Sequence, residues 1–302
     1  MHATHVYRLT KENFFAYKEF LNYKTEFSKL SKAQQSMGIE NAKKRIDMRF
    51  SGEVGVDMNY SKKSAFGDFF DYRLIRESDK IKILVAPHCF YDSPHPFGIN
   101  LYPDVSDWIE NLIEISKKTD YDWYVKTHPD FLDSTKEMVV KVFKDHPKFT
   151  ILPSDSSHLQ IVNEGIDFAL TMYGSIGFEY AAMNIPVINA SLNNPHIAFD
   201  FNIHPKTQKE YTNTLMDLKT VNHKINKTDV YRYYYMNKLH FSLEWFFLDR
   251  TKVLTDLGGY HGQFGPEMYK YWVENWTIEN HQIILSGLRN FIDSGEYLYC
   301  PD

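Results

Sequence analysis

Cysteine is scarce in this sequence of 302 residues. The two cysteines, Cys89 and Cys300, lie far apart, and their spacing fits neither a disulfide framework nor a cysteine-rich metal site. This scarcity gives no indication of redox or zinc chemistry, and it suits a reducing compartment. We therefore expect no tightly bound cofactor.

Long apolar runs are missing as well. The sequence has no stretch of about 18 apolar residues that could span a bilayer. Its start, Met-His-Ala-Thr-His, lacks the basic-then-apolar pattern of a secretory signal. The sequence therefore predicts a cytoplasmic protein, and this hypothesis includes peripheral attachment at the inner face of the membrane.

Basic residues do not outnumber acidic ones, since the formal net charge is -5. A strong basic excess is typical of nucleic-acid binding, so we expect no nucleic-acid partner. The glycine motifs of dinucleotide-binding and P-loop proteins are also missing. Their absence disfavours dinucleotide oxidoreduction and P-loop phosphoryl transfer.

Apolar, β-branched runs alternate with amphipathic stretches between residues 80 and 205. Strands are predicted at 81–86, 122–127, 149–152, 168–172 and 186–190, and helices at 104–118, 134–145, 157–165 and 175–183. Strand–helix alternation of this kind is typical of a parallel sheet covered by helices. The sequence therefore predicts an α/β fold with a Rossmann-like parallel sheet and flanking helices in a domain spanning 80–205.

The regions on either side of this domain have helical patterns. Residues 1–79 are predicted to form a helical, reduced or truncated N-terminal region, and 206–302 a helical C-terminal region that packs on the sheet domain. One long helix is predicted from Asp229 to Phe247, with Thr228 or Asp229 near its N-cap. We interpret His240 as a core histidine and the tyrosine-rich 231–236 as packing rather than a sugar platform.

Polar loops follow the predicted strands at their carboxyl ends. In open parallel sheets, ligands bind in the crevice outside these ends. The loops are 87–98 (PHCFYDSPHPFG), 126–130 (KTHPD), 173–179 (YGSIGFE) and 191–196 (SLNNPH). We expect a binding site where these loops meet.

The loop 87–98 holds the two candidates for catalysis, Asp92 and His95. A carboxylate or an imidazole at this place could deprotonate an acceptor hydroxyl. The alternative is structural, with Asp92 in a local turn bond and His95 and His88 ordering a proline-rich loop. We predict no metal site from these three residues because no helix fixes their spacing.

Three further residues are candidates for ligand binding. Lys126 can supply a positive charge and His128 a directed donor to an anion, while Pro129 ends the strand rigidly. Asn194, or His196 beside it, can present a polar group to a sugar or base. Asn194 is followed by Pro195, and an Asn-Pro pair is equally a turn signal.

The segment 173–179 predicts a phosphate cradle at a helix start. Gly174 permits a sharp turn, Ser175 can cap the helix, and the N–H groups up to Ile176 then point above the sheet. Glu179, one turn later, can accept hydrogen bonds from a ribose diol. The alternative is an ordinary capped helix with Glu179 near its positive end.

Together, residues 126–129 (KTHP), 174–179 (GSIGFE) and 186–188 (PVI) resemble the nucleotide-sugar half of GT-B glycosyltransferases. The resemblance is to enzymes of bacterial capsule and lipopolysaccharide synthesis, such as Kdo transferases and related sialyltransferases, and it covers roughly residues 80–200. It implies that His128 and Ser175 bind the donor phosphate and that Glu179 holds the ribose. Those enzymes often have two adjacent hydroxyl residues where this chain has Gly174 and Ser175, which leaves CMP and UDP donors both open.

This resemblance makes 80–205 a nucleotide-sugar-binding domain and the protein a glycosyltransferase that moves a sugar from a CMP- or UDP-sugar to a surface polysaccharide acceptor. The implied partners are the nucleotide sugar, as substrate, and a polysaccharide or lipid-linked glycan. GT-B enzymes have two similar halves, whereas only the helical 1–79 precedes this domain. The acceptor domain is then truncated, supplied by a partner chain or a second copy in a homo-oligomer, or replaced by the helical regions, and the isolated chain could bind donor without being active alone.

Three alternatives remain open from the sequence. A CDP-polyol phosphotransferase of teichoic-acid type uses similar phosphate-gripping loops, and a sugar-nucleotide epimerase is a further possibility. The chain could also be a non-catalytic partner that binds donor or acts as a scaffold for a full-length transferase.

Overall fold

The structure is a computed structural model that describes residues 5–12, 15, 17–58, 61–87, 99–130, 133–241, 255–259, 262 and 264–300. It divides into two compact units. We call Tyr17–Asp57 with Ser61–Asn237 the sheet unit, and Met1–Ala16, Met58–Tyr60 and Lys238–Asp302 the terminal unit. Over the described residues, every helix is too short or too polar to cross a bilayer.

The secondary structure follows in chain order. The strands are β1 (Val6–Tyr7), β2 (Lys82–Val85), β3 (Asp122–Val125), β4 (Phe149–Ile151), β5 (Phe168–Thr171), β6 (Val187–Asn189) and β7 (Leu298–Tyr299). The α-helices are α1 (Tyr23–Lys29), α2 (Lys32–Phe50), α3 (Val105–Lys118), α4 (Asp133–Phe143), α5 (His158–Asn163), α6 (Ile176–Ala182), α7 (Gln208–Met216), α8 (Lys227–Tyr234), α9 (Pro266–Asn275) and α10 (Ile278–Ser294).

A five-stranded sheet forms the centre of the sheet unit. Its strand order is β4-β3-β2-β5-β6, and each neighbouring pair is parallel. The predicted α/β fold with a parallel sheet and flanking helices is therefore confirmed. The chain builds outward from β2 to β4 and then returns to place β5 on the other side of β2, so the topological switch point lies between β2 and β5.

Helix α3 shows how the sequence pattern produces one layer of this fold. Asp104 caps it by accepting a hydrogen bond from the N–H of Ser106 at 2.8 Å. The apolar stripe of this helix is buried in the core of the sheet unit, and it comprises Val105, Trp108, Leu112 and Ile115. The indole of Trp108 donates to the hydroxyl of Tyr211 at 2.9 Å, which joins α3 to α7.

The N-terminal helices belong to the same compact unit as the sheet. Helix α2 begins with a capping box between Ser31 and Gln34, and it packs on α8, which in turn packs on α6. Gly38 is required where α2 meets the residues that follow α8, because a Cβ atom on Gly38 would lie 2.9 Å from the ring of Tyr235. The domain boundaries at 79/80 and 205/206 stay predictions.

The long helix predicted from 229 to 247 is interrupted. Its α-helical part begins at Lys227, with Asn226 as N-cap accepting from the N–H of Thr228 at 3.1 Å, so Thr228 and Asp229 lie near the N-cap as predicted and neither is the cap itself. It ends at Tyr234 and continues as a π-helical segment, Tyr235–Leu239. Residues 242–250 lie outside the described residues.

The interpretation of the tyrosine cluster as packing is confirmed for its buried members. Tyr233 and Tyr234 are buried and contact Phe178 on α6, with ring centroids 5.8 and 5.3 Å away. His240 is only partly buried and lies edge-on to Phe241. In the terminal unit, β1 and β7 form an antiparallel pair.

Candidate functional site

The carboxyl ends of the parallel strands lie along one edge of the sheet. Ligands are expected at this edge, close to the switch point between β2 and β5. Residues 88–98, in the loop that leaves β2, lie outside the described residues, and with them the two catalytic candidates, Asp92 and His95. The roles of both residues stay predictions.

Lys126 follows β3 directly and is buried, with 2% of its surface exposed. Its Nζ donates to the carbonyl oxygens of Thr127 at 3.3 Å and of Ser154 at 3.1 Å. Burial lowers the pKa of Lys126 to about 8, while the negative charges of Glu179 and Asp155 act in the opposite direction. Lys126 therefore joins the loops after β3 and β4. Because its ammonium is buried and bonded to carbonyl oxygens, its positive charge would act on a ligand at a distance and not by direct contact.

His128 lies two residues further on and is partly exposed. Its Nδ1 accepts a hydrogen bond from the backbone N–H of Asp130 at 3.1 Å, so the neutral ring carries its proton on Nε2. Burial, followed by the charge of Lys126, lowers the pKa of His128. At neutral pH the ring is therefore an uncharged donor through Nε2, a form that can hydrogen-bond to an anionic oxygen.

The carboxylate of Glu179, on α6, is paired with an arginine from the N-terminal region. Its Oε1 accepts a hydrogen bond from Nη2 of Arg49, in the last turn of α2, and the two side chains are 5% and 11% exposed. Its Oε2 makes no hydrogen bond to another described residue. The predicted ribose-binding residue thus has one oxygen anchored and one that a ligand hydroxyl can use.

Arg49, Lys126, His128 and Glu179 form a group that we call the strand-end cluster. Their charges act on one another, since Glu179 raises the pKa of Lys126 against burial, and Lys126 and Arg49 both lower the pKa of His128. Asp155 and Asp130 act on Lys126 and His128 as well, so the two cations face three carboxylates in this region. Within the cluster, the N–H of His128 is the group that can donate to an anionic ligand.

Sequence reasoning missed Arg49 because it lies 130 positions from its partner, in a basic helix that is typical of a solvated surface. It also missed the buried pair of His158 and Tyr180, whose Nδ1 and hydroxyl oxygen lie 2.9 Å apart. Burial lowers the pKa of His158 well below its ordinary value and raises that of Tyr180 well above. Both groups are therefore neutral at pH 7, and the only local signal was the serine-histidine pair that begins α5.

The backbone turns tightly after β5, as the sequence predicts. The N–H groups of Gly177 and Phe178 donate to the carbonyls of Gly174 and Ser175, each at 3.1 Å. No hydrogen bond joins the N–H of Ser175 or Ile176 to another described residue. The side chain of Ser175 makes no capping bond, so the predicted cap is wrong and the hydroxyl has no role in starting α6.

Asn194 is fully buried, and both of its polar atoms bond to the protein. Its Nδ2 donates to the carbonyl of Met172 at 2.8 Å, and its Oδ1 accepts from the N–H of His196 at 2.8 Å. These bonds join the loop after β6 to the end of β5. The imidazole of His196 packs edge-on to Tyr233, with centroids 4.5 Å apart. Contact of Asn194 with a ligand stays a prediction.

Two surface grooves lie away from the strand-end cluster. A groove of about 650 Å³ lies along the outer face of α3, and one of about 460 Å³ borders the amino end of β2 near Lys82. Neither groove is lined by a residue of the cluster. In the described part of the chain, no three His, Cys, Asp or Glu side chains are grouped to hold a metal ion.

No family model matches the sequence, and no curated protein matches it. Solved structures are similar to parts of the chain, and they include a transferase, an epimerase and a polymerase. The β-Kdo 2,4 transferase KpsC of Thermosulfurimonas dismutans is 13% identical, with 65% of this chain and 55% of that chain covered and a TM-score of 0.41. The UDP-GlcNAc 2-epimerase of Methanocaldococcus jannaschii is 16% identical over 51% and 44%, with a TM-score of 0.38. The wall teichoic acid polymerase TagF is 16% identical over 66% and 45%, with a TM-score of 0.34.

The chain spans about half the length of these solved structures. The similarity extends over part of each molecule. A Kdo transferase and a teichoic acid polymerase, two of the classes that the sequence resemblance and its alternatives name, are among the structures similar to this chain.

Proposed function

We propose that the chain binds the phosphate of a nucleotide-sugar donor at the strand-end cluster and acts as a glycosyltransferase on a surface polysaccharide acceptor. The observation that carries this proposal is the meeting of Lys126, His128, Glu179 and Arg49 next to the topological switch point of the sheet. Cationic and donor groups at this place suit a phosphate, and a carboxylate beside them suits a sugar diol.

Each group would have a distinct task toward the donor. His128 donates from Nε2 to a phosphate oxygen, the hydroxyl of Ser175 donates to the same phosphate, and the N–H groups of Ser175 and Ile176 offer two further donors at the end of β5. Lys126 stabilises the negative charge without touching it, because its ammonium is bound to carbonyl oxygens. Charge that develops on the departing nucleotide is stabilised by the same groups during direct displacement at the anomeric carbon.

Glu179 would accept hydrogen bonds from the ribose through Oε2. A carboxylate oxygen is a strong acceptor, and hydrogen bonds to a charged group are worth roughly 1.5–3 kcal/mol. The acceptor, a polysaccharide or a lipid-linked glycan, and the base that activates its hydroxyl belong to the same proposal, with Asp92 and His95 as the candidates for the base.

A second candidate function is donor binding without catalysis. The described residues contain one parallel sheet, and the N-terminal part of the sheet unit, Tyr17–Asp57, is helical. A GT-B enzyme needs a second domain for the acceptor, and a partner that supplies this domain belongs to this candidate function. A phosphotransferase acting on a CDP-linked polyol would use the same phosphate site.

A thermal-shift screen tests the binding part of the proposal. Purified protein is heated with CMP, CDP, UMP, UDP or GDP, and a ligand at a hundredfold excess over its dissociation constant stabilises the folded state by about 2.7 kcal/mol. We expect one base to give a shift that His128→Ala and Ser175→Ala abolish. His146→Ala is the matched control, because His146 precedes β4 at the opposite edge of the sheet and should leave the shift unchanged.

A transfer assay then separates the candidate functions. Release of the nucleotide from the matching nucleotide sugar by the isolated chain, with a glycan acceptor, supports a complete glycosyltransferase. Release from a CDP-polyol instead assigns the phosphotransferase. Binding without turnover assigns the donor-binding partner, and no shift with any nucleotide contradicts the proposed function.

A further inference from the structure

We propose that Arg49 positions Glu179 for the donor, so that helix α2 contributes a residue to the strand-end cluster. This inference rests on the proposed function and adds a residue that the sequence resemblance does not include. Arg49 is a positioning residue here, because it would act on the donor through Glu179 and not by direct contact.

Within the part of the chain that the structure describes, three contacts help to hold the guanidinium of Arg49. Nη2 donates to Oε1 of Glu179, Nη1 donates to the carbonyl of Val56 at 2.9 Å, and the guanidinium carbon lies 5.6 Å from the centre of the Phe178 ring. An arginine in this setting has little freedom to rotate, since a planar group is fixed by two directional bonds and a ring face. It therefore fixes the carboxylate that it binds.

The segment that follows α2 is itself anchored. Arg45, one turn before Arg49, makes a two-bond contact with Asp57 at 2.9 and 2.7 Å, and the hydroxyl of Tyr234 donates to the same carboxylate at 2.6 Å. These bonds hold the backbone next to Val56, whose carbonyl binds Arg49. Arg45 thus supports the segment that binds Arg49.

Glu179 depends on this contact for its orientation. The residue is 3% exposed, and a buried carboxylate that loses its cation is costly, so it rotates or admits another cation. Lys126 is the other positive charge that acts on Glu179 within the cluster. Without Arg49, the carboxylate would turn toward Lys126 and Oε2 would no longer face a ribose in a fixed position.

The ratio of affinities for a ribonucleotide and its 2′-deoxy form is the most direct readout. We would titrate CMP, UMP and GMP, each against its 2′-deoxy counterpart, into the wild-type chain by calorimetry. For the nucleotide that binds, we expect a preference of tenfold or more for the ribo form. Arg49→Met should reduce this preference to near one, and Glu179→Gln should do the same.

Lys44→Met is the matched control, because it removes a basic residue of the same helix at an exposed position. It should keep the preference for ribose even if it lowers stability. Arg49→Lys, which keeps the charge but not the planar fork, serves if Arg49→Met does not fold, and it too should lose most of the preference.

The outcomes separate this inference from the proposed function. If the wild type binds a nucleotide and Arg49→Met keeps the full ribose preference, the role of Arg49 is wrong while the phosphate site stands. A wild type that binds ribo and deoxy forms equally overturns the inference as well. If the wild type binds none of the nucleotides, the proposed function and the inference both fail.

Discussion

Lys126 illustrates, at the scale of single residues, how a buried group can serve a site at a cost to stability. Desolvation lowers the pKa of its ammonium from an ordinary 10.5 to about 8. Between these two values the unfolded chain binds more protons than the folded chain, so unfolding becomes less favourable as the pH rises. The folded state therefore gains stability from this residue on going from pH 7 to pH 10.

Replacing Lys126 by Met should remove this pH dependence. A shift of this size corresponds to about 2–3 kcal/mol, most of which is recovered between pH 7 and pH 10. We expect the difference in unfolding free energy, wild type minus Lys126→Met, to rise by about 2 kcal/mol over this range in urea titrations. A difference that stays constant with pH would show that the ammonium is not desolvated in the folded state.

Asn194 is a second residue whose buried hydrogen bonds contribute to the stability of the fold. Asn194→Ala leaves the Met172 carbonyl and the His196 N–H without their partner, and an unsatisfied buried group costs about 1–3 kcal/mol. We expect a loss of about 2 kcal/mol in denaturant unfolding. Asn213→Ala, at an exposed position on α7, is the control and should change stability by less than about 0.5 kcal/mol. Equal effects at the two positions would contradict the structural role of Asn194.

At the scale of elements, close packing of helix α6 restricts which residues its sequence can contain. The helix carries Glu179 and packs closely on the loop after β6. A Cβ atom on Gly177 would lie 2.3 Å from Cε1 of His196, a fully buried ring. Glycine is therefore required here by the approach of a side chain and not by its backbone angles.

Gly177→Ala should destabilise the protein through this clash. Overpacking in a dense core costs about 1–3 kcal/mol, and the buried imidazole has little room to move. Gly67→Ala is a matched control, since no atom lies within 4 Å of the added methyl group and the position is exposed. Chemical denaturation of both variants checks this, and equal stabilities would mean that the ring of His196 can move aside.

Two serines lie at helix starts, and only one of them caps its helix. Comparing Ser31 with Ser175 therefore distinguishes a capping role from a proposed binding role. Ser31→Ala removes the capping box of α2 and should cost about 1 kcal/mol. Ser175→Ala removes no capping bond and should leave the unfolding free energy within about 0.5 kcal/mol of wild type. A large loss of stability in Ser175→Ala would show that its hydroxyl starts α6 after all.

The elements of the sheet domain could be predicted because each leaves a local signal. The strand Phe168–Thr171 is a short apolar run, and α3 has a stripe with helical spacing. The break after Tyr234 could not be predicted, since Tyr235 is held by contact with α2 rather than by its own neighbours in sequence. Local patterns miss such tertiary contacts.

The same limit applies to the candidate site at the scale of the whole molecule. The edge of the sheet and the residues Lys126, His128 and Glu179 follow from strand ends and loop composition. The contact of Glu179 with Arg49 joins positions 130 apart, and the burial of Lys126 depends on the loop after β4. Neither could be predicted from a local stretch, because both arise only when the helices and the sheet of one unit pack together.

Calorimetric titration of a nucleotide and its nucleoside tests the phosphate site most directly. The base that shifts the melting temperature would be titrated as the monophosphate and as the nucleoside into the wild type and into His128→Ala. We predict that the wild type binds the monophosphate at least tenfold more tightly and that His128→Ala loses most of this difference while its nucleoside affinity is unchanged. Equal affinity of the wild type for nucleotide and nucleoside, or equal loss of both in His128→Ala, would contradict a phosphate site at the strand-end cluster.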